Sequence, residues 1–201
     1  MLTVRIPWAE RVWAVPVLTA LCPSERYYEE RGRAHKKLTT WARQMLLQVK
    51  RWLPEREVVV VADSSFAALE LLEAVRREVT IITRLRMDAA LYEPAPVRQP
   101  RQLGRPRLKG ARLPTLATTL KDQQRVWSKH VIAGWYGGQA RTVEVATATA
   151  VWYHTGMPGV PVRWVLVRDP LAEFKPQALL STNLESNPVE MLEWFVRRRP
   201  S

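Results

Sequence analysis

One stretch of the sequence combines a buried strand, an acid and the start of a helix. Residues 58–61 form an unbroken run of valines, which is typical of a strand that is covered on both faces. Asp63 follows at the expected end of that strand, and Ser64 and Ser65 favour a helix start near Phe66. Open α/β sheets place ligands and chemistry at the carboxyl ends of their strands. Asp63 is therefore either a functional carboxylate or merely a helix cap, and the pattern leaves both readings open.

The elements around this stretch predict a mixed α/β fold. Helix-linked strands run parallel when the connection is a right-handed crossover, so the two strands around residues 58–61 and 79–83 should be parallel. The clearest helix repeats apolar side chains at three- and four-residue spacing and ends at Pro54. The full prediction is strands over residues 2–7, 12–21 and 79–83, helices over 38–53 and 66–77, and a polar connector over 24–37. The first two strands are expected to form a hairpin or to lie as two neighbouring strands.

The charge balance indicates a polyanionic partner. The chain has 201 residues and a formal net charge of +12, which favours nucleic acid first and an anionic membrane second. No apolar run approaches the roughly 20 residues of a membrane span, and the amino terminus lacks a signal-peptide pattern. Cys22 is the single cysteine, which excludes a disulfide framework and a cysteine-rich zinc site. We expect a cytoplasmic protein with no membrane association.

Most of the positive charge lies in one segment. Residues 84–129 hold eleven Lys and Arg against three acids. Within this segment, residues 94–114 are rich in Pro and Gly and contain no acid, which predicts a loose loop or extended arm. Such an arm would bind DNA phosphates in a salt-dependent way, or it would be a solvated linker with no partner. The candidate nucleic-acid-binding residues are Arg98, Arg101, Arg105, Arg107, Lys109 and Arg112.

The second half of the sequence is rich in strand-forming residues. Patterns over residues 141–153, 162–169 and 177–182 predict a small antiparallel sheet. A final helix is signalled by Asn187 as its N-cap and Pro188 at its first position.

Several motifs, in order along the chain, resemble those of one enzyme family. They are residues 22–26 (CPSER), 35–44 (HKKLTTWARQ), 58–67 (VVVVADSSFA), 135–138 (WYGG), 162–169 (VRWVLVRD) and 194–198 (WFVRR). On these segments the chain resembles bacterial insertion-sequence transposases of the DDE type, which have an RNase H-like catalytic core.

The resemblance implies a fold, a chemistry and a set of partners. Asp63 would be the second acid of a catalytic, metal-binding triad that holds Mg²⁺ or Mn²⁺. The family cuts DNA and joins the freed 3′-hydroxyl to target DNA, and intact members are expected to act as homodimers. The implied organisation is a partial RNase H-like core over residues 1–83, a basic arm and β-rich insertion over 84–183, and the beginning of the last core helix over 184–201.

The sequence departs from the family pattern at the other two acids. The first aspartate belongs on a strand ahead of the predicted hairpin, and we expect that strand to be missing. The third acid should follow Phe195 and Arg198 at position 202, one residue beyond Ser201. We therefore expect an incomplete core and a transposase fragment that is inactive alone. The alternatives are a non-catalytic DNA-binding remnant that acts through the arm, and an inert remnant that folds poorly.

Overall fold

The strands and helices expected from the sequence are present in the computed structural model of the protein, with several different boundaries. The structure describes residues 2–6, 11–98, 104 and 106–197. The strands are β1 (Leu2–Ile6), β2 (Arg11–Val15), β3 (Val59–Ala62), β4 (Thr80–Leu85), β5 (Leu91–Tyr92), β6 (Ser128–Ile132), β7 (Arg141–Trp152), β8 (Val160–Arg168) and β9 (Gln177–Ser181). The helices are α1 (Glu25–Glu29), α2 (Leu38–Trp52), α3 (Leu69–Val75), α4 (Leu116–Lys121) and α5 (Pro188–Arg197), and short 3₁₀ turns cover Ser64–Phe66 and Trp135–Gly137.

Seven of the strands form one open mixed sheet. Its order is β3-β4-β9-β8-β7, and the far edge of β7 pairs with β5 at one end and with β6 at the other. β3 and β4 are parallel, as predicted, with Val59 opposite Thr80 and Ala62 opposite Thr83. The other described pairings of this sheet are antiparallel. The mixed α/β class is confirmed, and an open sheet with flanking helices agrees with an RNase H-like fold.

Helices cover both faces of this sheet. Successive apolar side chains along a strand point to opposite faces, so both faces are apolar and need cover. Val58 and Val60 pack in the core beneath α3, whereas Val59 and Val61 pack in the core beneath α5. The α3 face buries Leu72, Ile81, Leu91, Leu116, Leu166 and Leu180 almost completely, and the α5 face does the same for Ile82, Ile132, Leu179, Met191 and Leu192. The result is a sheet with a hydrophobic core on each side.

Three local expectations were wrong in their boundaries. The strand expected over residues 12–21 ends at Val15, directly before Pro16, which has no amide hydrogen to continue a ladder. The polar connector contains the short helix α1, whose N-cap Ser24 accepts a hydrogen bond from the Tyr27 amide. The helix expected from Phe66 onward is divided, because a 3₁₀ turn ends there and α3 begins only at Leu69.

The arm is not loose along its whole described length. The Glu93 amide donates to the Ala111 carbonyl, and the Gly110 amide donates to the Glu93 carbonyl, each at 2.8 Å. A side chain at Gly110 would place its Cβ 2.6 Å from the Pro94 carbonyl oxygen, so only glycine allows this approach. The end of the arm therefore lies against the segment that follows β5.

The outer edge of β3 has no strand partner among the described residues. The neighbouring helix α2 has the amphipathic pattern expected, yet none of its side chains is fully buried. Leu38 and Trp52 keep about half of their surface exposed, at 47% and 52%. Within the part of the chain that the structure describes, β3 is thus an open edge and α2 keeps part of its apolar surface exposed.

β1 and β2 form a separate two-stranded antiparallel sheet, as the sequence predicted for a hairpin. The antiparallel strands expected in the second half are also present, but β9 joins them to β4 in one continuous sheet. The division of the chain into a partial core, an insertion and a final helix stays a prediction.

Candidate functional site

Asp63 directly follows the carboxyl end of β3, at the edge of the sheet where the sequence analysis expected it. Its backbone is extended, with φ −73° and ψ 163°, and its side chain is exposed. Asp63 occupies the N-cap position of the 3₁₀ turn, but its side chain makes no capping hydrogen bond. The structure therefore gives no support to the reading of Asp63 as a simple helix cap.

A buried threonine fixes the backbone of Asp63. The Thr83 hydroxyl donates a 2.8 Å hydrogen bond to the Asp63 carbonyl oxygen, and the Phe66 amide donates to the same oxygen at 2.9 Å. Thr83 is fully buried in β4, opposite Ala62. The exposed carboxylate thus stands on a backbone that the sheet and the following turn hold in place.

Helix α5 runs toward this same edge of the sheet. It follows β9, whose end is held beside the beginning of β4 by two hydrogen bonds. The Thr182 amide donates to the Ile81 carbonyl oxygen, and the Thr182 hydroxyl accepts from the Ile81 amide. Near its other end, the ring centroid of Phe195 lies 5.5 Å from the guanidinium carbon of Arg84, one residue before the end of β4. The last described residues of α5, up to Arg197, therefore lie toward the end of the sheet that carries Asp63.

We tested whether the described residues could hold a divalent metal ion. A carboxylate such as that of Asp63 is a ligand that Mg²⁺ prefers. However, the described residues include no group of three or more His, Cys, Asp or Glu side chains placed to hold a metal. The described part of the chain thus offers one suitable ligand rather than a complete metal site.

The predicted nucleic-acid-binding residues fall into three groups. Arg107 and Arg112 are exposed at the end of the arm, and Arg98 is also exposed, with its guanidinium 3.2 Å from the Gly104 carbonyl oxygen. Lys109 is half-buried and is discussed next. Arg101 and Arg105 lie outside the described residues.

Lys109 is packed against two tyrosines. Its ammonium nitrogen lies 3.4 Å from the ring centroid of Tyr92 and 4.1 Å from that of Tyr153. A hydrogen bond from Lys109 holds the pKa of the Tyr92 hydroxyl below its ordinary value. This contact links the arm to β5, so Lys109 contributes to the fold as well as to the positive charge of the arm.

A second polar cluster, which no motif in the sequence had indicated, lies at the end of β8. Asp169 is buried there, with its carboxylate bonded to Arg141 at 2.5 Å and to the amides of Leu171 and Glu173 at 3.0 Å. Arg141 also pairs with the carboxylate of Glu173. The Asp-Pro sequence after a strand marked a turn, but nothing local indicated Arg141, which is 28 residues away along the chain.

Comparisons with known proteins assign the family. A comparison with curated proteins found no match. The family model described as DDE superfamily endonuclease matches residues 3–158, which include Asp63, the arm and all of β7. No helix in the described ranges is long and apolar enough to cross a membrane. Membership of an endonuclease superfamily of this kind implies a nuclease that acts on DNA and generally requires a divalent metal. The chain belongs to the DDE superfamily endonucleases.

Proposed function

We propose that this chain carries the second catalytic acid, Asp63, of an insertion-sequence transposase, and that it binds DNA but does not cut DNA by itself. The observation that carries the proposal is the position of Asp63. An exposed carboxylate, on a backbone fixed by Thr83, stands at the carboxyl end of a strand in a chain of the DDE endonuclease family. This is the edge of an open α/β sheet where chemistry is usually found.

The incomplete cover of β3 supports the proposal that further core elements belong beside it. By the resemblance, the first acid belongs on a core strand that precedes the hairpin of β1 and β2. The outer edge of β3 is open among the described residues, and α2 leaves the apolar side chains of Leu38 and Trp52 about half exposed. Among the described residues, Asp63 is the acid that the resemblance assigns to the triad, and no cluster of three metal ligands is found there, so we derive no catalytic step through a metal ion.

DNA binding would use the basic arm. Arg107 and Arg112 are exposed, and the described residues include no salt bridge to either of them. Each phosphate contact would release counterions, so affinity should fall steeply with added salt. Homodimer formation, which the resemblance implies for intact family members, is part of the proposal and stays a prediction.

The proposal is tested with supercoiled plasmid and short duplex DNA in Mg²⁺ or Mn²⁺. We expect the wild-type chain and the Asp63→Ala variant to be equally unable to nick DNA. Metal-dependent nicking by the wild type that disappears in Asp63→Ala would contradict the inactivity of the isolated chain, although it would support the role of Asp63.

A second candidate function is DNA binding without any role in catalysis. The exposed arginines of the arm and the net charge of +12 favour it. It predicts binding that weakens steeply with salt and survives in Asp63→Ala. Absence of binding at low salt would argue against both candidates and for an inert remnant, whereas equal binding at high salt would argue against binding through the charged arm.

A further inference from the structure

Asp63 and Arg84 occupy neighbouring positions on one face of the sheet. Val59 and Val61 belong to the core beneath α5, and the extended backbone of Asp63 continues this alternation two residues further along β3. Ile82 belongs to the same core, and Arg84 follows it two residues further along β4. Ala62 of β3 pairs directly with Thr83 of β4, and Asp63 and Arg84 are the residues that follow this pair.

The guanidinium of Arg84 is placed against an aromatic ring and is exposed to solvent. It lies over Phe195 of α5, and the described residues include no salt bridge to it. Arg86, two residues later, differs because Asp88 binds it through both carboxylate oxygens, at 2.8 and 2.7 Å. A cation–π contact at this distance favours the guanidinium position over the ring while leaving its fork of N–H groups able to bind an anion.

These positions suggest a use for the cation. A DNA phosphate brought to the edge of the sheet near Asp63 would be repelled by the carboxylate. A guanidinium on the adjacent strand and the same face compensates that repulsion and can bind two phosphate oxygens at once. We propose that Arg84 binds a backbone phosphate of the DNA next to Asp63, and this inference rests on the proposed DNA-binding function.

The first test is DNA binding by fluorescence anisotropy over a range of salt concentrations. Arg84→Gln should weaken duplex binding at low salt by roughly tenfold. It should also make the slope of log K against log salt shallower by about 1, since one phosphate contact is lost. Arg84→Lys should keep the slope but recover only part of the affinity, because Lys cannot form the bidentate contact. The control is Arg77→Gln, which removes an exposed cation at the opposite end of β4 and should change the affinity much less.

The second test is a double-mutant cycle in EDTA, which asks whether Asp63 and Arg84 act on the same phosphate. Asp63→Asn should strengthen DNA binding by removing a repelling charge, and this gain should shrink in the Arg84→Gln background. Equal effects of Arg84→Gln and Arg77→Gln, together with additive effects in the cycle, would overturn the role of Arg84 while leaving the proposed function intact. If the wild-type chain does not bind DNA at low salt, the inference and the proposed function both fail.

Discussion

The hydroxyl of Thr83 donates a 2.8 Å hydrogen bond to the carbonyl oxygen of Asp63. The two residues are 20 positions apart in sequence, since Asp63 directly follows β3 and Thr83 lies in the adjacent parallel strand β4. Thr83 is completely buried, so the core of the sheet directly sets the backbone position of the exposed carboxylate. A rigid backbone beneath a functional side chain is what a metal-binding or catalytic residue requires.

Replacing Thr83 with valine should lower stability. Valine fills nearly the same volume but cannot donate to the Asp63 carbonyl, so we expect a loss of about 1 kcal/mol in the free energy of unfolding. The control is Thr149→Val, on an exposed position of β7, which should be nearly neutral. Urea unfolding measures both variants, and equal stability of Thr83→Val and the wild type would show that this hydrogen bond contributes little.

Replacing Lys109 with methionine should affect the fold of the arm. The variant loses the contacts of the ammonium group with Tyr92 and Tyr153, which should cost about 1 kcal/mol. The pKa of Tyr92 should also rise toward its ordinary value of about 10, because the hydrogen bond from Lys109 that lowers it is gone. Spectrophotometric titration of the tyrosines, with Tyr92→Phe as the reference, measures this rise. An unchanged titration curve would mean that Lys109 does not contact Tyr92 in solution.

Asp169 should make stability depend on acid pH. Burial acts to raise its pKa, but the amides of Leu171 and Glu173 and the charge of Arg141 outweigh burial and lower the pKa. A carboxylate with a lowered folded-state pKa contributes stability above its unfolded-state pKa of about 3.9, and this contribution is lost as pH falls through the folded-state value. Thermal unfolding from neutral to acid pH should therefore show a smaller pH-dependent loss in Asp169→Asn than in the wild type.

The matched control for Asp169 is Glu55→Gln, which changes an exposed carboxylate. It should retain the wild-type dependence of melting temperature on pH. If Asp169→Asn and Glu55→Gln have the same pH profile as the wild type, the ionised form of Asp169 does not stabilise the fold.

The two exposed arginines at the end of the arm should contribute to DNA affinity without affecting stability. The double variant Arg107→Gln, Arg112→Gln should bind duplex DNA more weakly and flatten the salt slope by up to about 2. The double variant Arg56→Gln, Arg77→Gln removes the same charge from exposed positions before β3 and β4. If both double variants lose the same affinity, the arm has no special role and net charge alone drives binding.

Local signals in the sequence were sufficient for several elements. The valine run predicted β3 and the position of Asp63 directly after it. Both can be predicted locally, because a run of β-branched residues and the residue that ends it lie next to each other in the sequence. The start of α5 was predicted for the same reason, and Asn187 does cap it by accepting a hydrogen bond from the Val189 amide at 2.9 Å. The amphipathic pattern of α2 predicted its bounds to within one residue.

The parts that could not be predicted depend on contacts between distant residues. The pairing of β4 with β9 brings together strands about 100 residues apart and joins the two halves of the chain in one sheet. The hydrogen bond from Thr83 to Asp63, and the contact of Arg84 with Phe195, likewise exist only once the sheet has formed. Periodicity within a window shows which face is apolar, but it does not show which strand or helix covers that face.

The role of Asp63 as a metal ligand is tested most directly by adding Mn²⁺ to the labelled protein and following paramagnetic broadening of its amide resonances by NMR. Broadening should be strongest at Asp63 and its neighbours Ser64, Thr83 and Arg84, and it should be lost there in Asp63→Asn. Thr83→Val, which leaves the carboxylate in place, should retain it. Uniform broadening over the protein, or selective broadening at this edge that persists in Asp63→Asn, would contradict the assignment of Asp63 as the metal-binding acid.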